Sequence, residues 1–109
     1  MSEDLAPSMC FLYKLIPPRP TFDTDMNEEE ASIMGRHVLY WQDLTSRGTA
    51  VVFGPVSDPA GVWGLAVIKA DDEEQVRTLA ERDPAIASGL SSFECHPMPA
   101  TIVGSRRDL

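Results

Sequence analysis

Residues 49–68 read TAVVFGPVSDPAGVWGLAVI. Two apolar runs, 49–53 and 62–68, flank Ser57-Asp58-Pro59-Ala60-Gly61, a segment dense in turn formers. Short runs rich in Val, Ile, Phe and Trp, bounded by Gly, Pro and Asp, read as strands, and their close spacing reads as a hairpin. Gly54-Pro55 closes the first run. The second run is non-polar on both sides, so the sheet it enters expects cover on both faces.

Toward the N-terminus from this hairpin, Asn27 heads a helix. Its side chain can cap the first turn while Glu30 reaches back, and Glu28, Glu29 and Glu30 form a solvated run opposing the positive end of the helix dipole. Ile33, Met34, His37, Tyr40, Trp41 and Leu44 recur at helical spacing and define one apolar face, and Arg47-Gly48 stops the helix. Ahead of it, residues 17–25 are a proline-stiffened loop, and residues 9–16 are a first strand ended by Pro17-Pro18.

Toward the C-terminus, Asp71 or Asp72 caps a second helix, with Glu74 placed for reciprocal capping. Val76, Leu79, Ala80 and Asp83 share its inner side. Pro84 breaks the pattern, residues 84–88 suit one further helical turn before Gly89, and residues 92–98 are a last strand, ended by Pro97 and Pro99. The order βαββαβ is that of a ferredoxin-like sandwich, an α+β fold with both helices on one face of an antiparallel sheet. A second copy of the chain, packed sheet to sheet, is the economical cover for the other face, so a homodimer is expected.

Composition narrows the function classes. The 109 residues suit one domain, placed at residues 9–98 with tails at 1–8 and 99–109. A hydrophobic content of 43% is that of a globular chain. The net charge of −8 repels phosphate backbones, and the only tight basic cluster, Arg106-Arg107, reads as a solvated tail, so no nucleic-acid partner is expected. No apolar run approaches the ~20 residues of a membrane span, and the acidic start Met1-Ser2-Glu3-Asp4 is unlike a secretory signal. Cys10 and Cys95 are too few for a disulfide framework, so a reducing cytoplasm is the expected setting.

Among individual residues, His37 stands out, because a titratable ring on an apolar helix face must be hydrogen-bonded there or put to use. Asp83 is its best partner by position. Aspartate before proline also caps a helical turn, and one carboxylate can serve both ends. Arg19, in the stiff loop, is a candidate for binding an anionic group. Tyr40 and Trp41 read as core that can also shape a pocket, and Gly54 as a strand end where backbone can approach a ligand. Cys95 and His96 are consecutive strand residues that point to opposite faces and cannot share a site. Cys10, His37, Cys95 and His96 contain no close-spaced pair fit for zinc. The five methionines have no cofactor-like spacing and read as packing. No Gly-x-Ser-x-Gly element and no glycine-rich phosphate loop is present.

The run His37…Trp41…Gly48…Gly54-Pro55…Gly64, then Asp83-Pro84…Gly89 and a terminal strand, resembles the YCII-related family over roughly residues 9–98. Residues 15–22 (LIPPRPTF) and 26–30 (MNEEE) resemble one bacterial subgroup. The resemblance implies a dimeric α+β barrel of the ferredoxin-like class and a site built from a helix histidine and the aspartate of the Asp-Pro element, here His37 and Asp83. One branch of the family is similar to a lyase that eliminates chloride from a chlorinated hydroxyquinone; the wider superfamily includes isomerases and haem-degrading oxygenases. The expected function is a cofactor-independent lyase or isomerase acting on a small, cyclic or aromatic molecule, with His37 and Asp83 catalytic and Arg19, Trp41 and Gly54 as substrate contacts. Two alternatives stay open: a non-catalytic dimeric module that binds a metabolite or assists another enzyme, and a haem protein with His37 as sole protein ligand.

Overall fold

Among the described residues, 8–104 of a computed structural model, the elements run β1 (Ser8–Ile16), α1 (Phe22–Asp25), α2 (Glu28–Ser46), β2 (Ala50–Val56), β3 (Trp63–Lys69), α3 (Glu73–Glu81), α4 (Pro84–Ala87) and β4 (Ser92–Thr101). Arg106-Arg107 and the outer parts of both expected tails lie outside the described residues. The strands form one antiparallel sheet in the order β2-β3-β1-β4, the ferredoxin-like arrangement the sequence pattern anticipates. No helix among the described residues is long and apolar enough to cross a membrane.

Register sorts the side chains onto two faces, because directly opposed residues of antiparallel strands point the same way. Tyr13 opposes Ala66 and Cys95, while Leu15 opposes Gly64 and Phe93. This face carries the core: Phe11, Tyr13, Leu15, Ala66 and Ile68 pack against Trp41 and Leu44 of α2 and Val76 and Ala80 of α3. The alternate set, including Leu12, Ile16, Leu65 and Val67, points away from the helices and stays partly exposed.

Helix α2 begins as its sequence dictates. Asn27 Oδ1 accepts from Glu30 N at 2.8 Å, and Asn27 N donates to Glu30 Oε1 at 3.0 Å. At its far end Gly48 adopts φ 83°, the left-handed turn that a residue without a Cβ takes at little cost.

Three boundaries and one added short helix differ from expectation. Strand β2 runs through Gly54-Pro55 and β4 through Pro97 and Pro99 to Thr101. Both are edge strands, where a missing N–H can face away from the ladder. The stiff loop contains the short helix α1, whose Phe22 is buried. The second helix stops at Glu81, with Arg82 as its C-cap, so Asp83 lies beyond it at φ −63°, ψ 125°.

Arg19 ties the proline loop to the start of α2. Its Nε donates to Asp25 Oδ1 at 2.8 Å, and its two terminal nitrogens donate to Glu30 at 3.0 and 2.8 Å. This guanidinium, followed by the Asn27 backbone N–H, holds the Glu30 carboxyl down at about 2. A depressed folded value means that the stabilisation is complete above the ordinary 4.5 and disappears as pH falls toward about 2. Glu30→Gln should therefore lower Tm at neutral pH and narrow its gap to wild type across that acid window, as followed by circular dichroism melts.

Candidate functional site

The interruption of the helix between α3 and α4 sets the site. Asp83 occupies the N-cap of α4 with Pro84 at its first turn, a pairing that suits the unbonded N–H groups there. Its Oδ1 accepts from Ala85 N at 2.9 Å and from His37 Nδ1 at 2.8 Å. Its Oδ2 accepts from Trp41 Nε1 at 2.7 Å and Tyr13 OH at 2.9 Å, and lies 2.9 Å from His37 Nδ1. Cap and histidine partner are thus one carboxylate doing both tasks. Asp83 is completely buried and His37 is 5% exposed.

Burial by itself pushes the Asp83 carboxyl up; the hydrogen bond and attraction from the His37 ring, then the Trp41 and Ala85 N–H groups, outweigh it and hold the carboxyl below its ordinary value. Burial first, and then the adjacent carboxylate, pushes the Tyr13 hydroxyl far above its usual range, so it remains a donor. An ionised carboxylate only accepts, which places the hydrogen of the His37 bond on Nδ1. In the neutral ring the Nε2 lone pair is then free. Phe53 stands edge-on to the His37 ring at 5.7 Å between centroids and stacks on Trp41 at 6.0 Å, which fixes the ring plane.

His37 lines a cavity of about 220 Å³, together with Leu15, Phe22, Met34, Phe53 and Trp63. That size is below the ~300–1,000 Å³ of pockets for drug-sized ligands and suits a single ring. The backbone of Gly54 and Pro55, the side of Gly64 and Ser91 complete part of the wall. Asp23 is the one acidic residue of the lining, and no Lys or Arg belongs to it. Haem does not fit these residues: the space is too small for a tetrapyrrole, and no cation is present in the lining to meet its propionates. Among the described residues no group of three or more His, Cys, Asp or Glu is arranged to hold a metal ion.

The sequence profile of the YCII-related domain matches residues 11–98. The chain belongs to the YCII-related family. Among solved structures, this YCII-related protein is similar to the 5-chloro-2-hydroxyhydroquinone dehydrochlorinase TftG of Burkholderia phenoliruptrix AC1100, in complex with 2,5-dihydroxybenzoquinone. The TM-score is 0.56 at 16% identity, covering 79% of this chain and 90% of that one, a likeness of fold. No curated protein matches the sequence.

Of the residues singled out from the sequence of this YCII-related protein, His37 and Asp83 are in direct contact and Gly54 reaches the cavity. Trp41 is fully buried and touches the site through Asp83 rather than by lining the cavity. Arg19 is not part of that lining, and its guanidinium is engaged by Asp25 and Glu30. Tyr40 donates to Leu79 O at 2.6 Å and serves packing. Cys95 faces the helices opposite Tyr13, whereas the side chain of His96 is 59% exposed beside Glu94. Tyr13 was not singled out from the sequence. Its only signal is an inward position on a strand, which does not reveal what its hydroxyl meets.

Asp83→Ala leaves buried donors from Tyr13, Trp41 and Ala85 unpaired, and should cost about 3–5 kcal/mol in denaturant unfolding. Tyr13→Phe removes one of several donors and should cost only about 1 kcal/mol. Gly64→Ala would place a Cβ 3.2 Å from Leu15 Cβ, whereas the same change at Gly54 meets nothing within 4 Å. Melting temperature should therefore fall for the first and hold for the second.

Proposed function

We propose that this protein is a cofactor-independent lyase or isomerase that moves a proton on a small cyclic or aromatic substrate. His37 Nε2 is the acid–base group, and Asp83 holds its tautomer and stabilises the imidazolium once formed. The observation that carries this reading is the pairing of Nδ1 with a buried carboxylate on a ring that also lines an apolar cavity. A hydrophobic wall weakens solvent screening, so a proton transferred there is governed by the few polar groups present.

The step balances with protons alone. Nε2 takes a proton from a ring hydroxyl or from a carbon next to a carbonyl. The electron pair then moves through the conjugated ring and either expels a leaving group such as chloride or collects the proton again at another atom. The family, and the fold likeness to a dehydrochlorinase with a quinone ligand, support a hydroxylated ring as the first class to try. We extend the reading to a homodimer joined through the outer sheet face, where Leu12, Leu65 and Val67 are partly exposed and Val52 is 46% exposed.

Chloride release from a panel of chlorinated quinols, and proton exchange on cyclic enols, test the chemistry. His37→Ala should lower kcat by about 10²–10⁴ with the fold intact by near-ultraviolet circular dichroism. Asp83→Asn can donate to Nδ1 and move the hydrogen to Nε2, so kcat should fall with KM little changed. Undiminished turnover in His37→Ala overturns the assignment. Sedimentation at micromolar concentration should give twice the 12.0 kDa chain mass; the mass of a single chain would remove the dimer.

A further inference from the structure

Ser91 carries the one buried side-chain N or O atom among the described residues that has no hydrogen-bond partner. Buried hydroxyls are rarely left so, and an exception asks for an explanation. Ser91 also lines the cavity that His37 lines. Its backbone is anchored, with N donating to Ala85 O at 2.9 Å at the exit of α4, and the next residue, Ser92, pairs with Ile16 at the end of β1. Only one side-chain torsion remains, and turning Oγ toward a ligand breaks no existing hydrogen bond.

The second observation is electrostatic. The lining has no Lys or Arg, and its single ionisable acid is Asp23. A substrate carboxylate entering this wall would lose water with no Lys or Arg to meet it, and the one titratable ring there, His37, already has the Asp83 carboxylate as its partner.

We propose that Ser91 is a substrate-binding residue whose Oγ hydrogen-bonds a hydroxyl or carbonyl oxygen of an uncharged ring, and that the cavity selects against rings bearing a carboxylate. This rests on the reading that the cavity beside His37 is the substrate site. It adds the class of ligand and the contact that recognises it. A hydroxyl that recognises an oxygen discriminates more sharply than an apolar wall does.

The test measures dissociation constants for chlorohydroquinone, chlorobenzene and 2,5-dihydroxybenzoate by calorimetry on wild type, Ser91→Ala and His37→Ala. Wild type should prefer chlorohydroquinone to each of the others by roughly tenfold or more. Ser91→Ala should lose most of the preference over chlorobenzene while its Tm stays level or rises, since no bond within the fold is broken. An unchanged preference in Ser91→Ala, a marked fall in its Tm, tighter binding of the carboxylated ring, or no binding of chlorohydroquinone by wild type each overturns the proposal. Chloride release by His37→Ala is read in parallel. A variant that turns over normally while Ser91→Ala loses its preference sinks the acid–base role of His37 and leaves Ser91 standing, and the converse pattern sinks Ser91 alone.

Discussion

One carboxylate organises this molecule. Asp83 is fully buried, and a lone charge in that position would be strongly unfavourable. It is tolerated because donors converge from β1 (Tyr13), from α2 (His37 and Trp41) and from the first turn of α4 (Ala85). Each of these elements is thereby fixed relative to the others through the same pair of oxygens. The orientation of His37 follows from that network, with the Phe53 ring as its apolar buttress.

The same constraint explains the local chain path. A continuous second helix would carry Asp83 on a helical turn with its backbone already bonded. The stop at Arg82 and restart at Pro84 free the carboxylate to cap Ala85 and to reach α2 at once. The cavity then opens where β1 ends, beside a Gly64 that leaves room next to Leu15. Polar groups are few there, so each carries weight. Ser91 Oγ is buried there with no hydrogen-bond partner, and His37 Nε2 stands opposite the nitrogen that Asp83 engages.

Arg19 shows the opposite outcome for a charged residue. It stands in a loop next to the start of α2 and is itself the sequence's candidate for binding an anionic group. Two carboxylates, Asp25 and Glu30, take its donors instead and convert it into a strut for the helix cap. The consequence is a cavity lining without positive charge, which is a statement about what it can bind.

Much is legible in the sequence itself, and for local reasons. The Asn27–Glu30 capping box, the glycine stop at Gly48, a cap at Asp71 or Asp72 (the structure uses Asp72) and the paired apolar runs of the hairpin are all written in spacings of a few residues, so the ferredoxin-like order and the inward side of α2 could be read directly. Edge prolines blurred the strand ends, because a proline breaks a strand or sits harmlessly at an edge according to its neighbours in space. What only the tertiary structure decided is the meeting of groups far apart along the chain: His37 with Asp83, 46 residues on, and Tyr13 with the same carboxylate, 70 residues away. Periodicity tells which way a side chain faces. Which donor fills which lone pair, and which hydroxyl is left without one, depends on how the helices seat on the sheet, and that is settled by packing of the whole core.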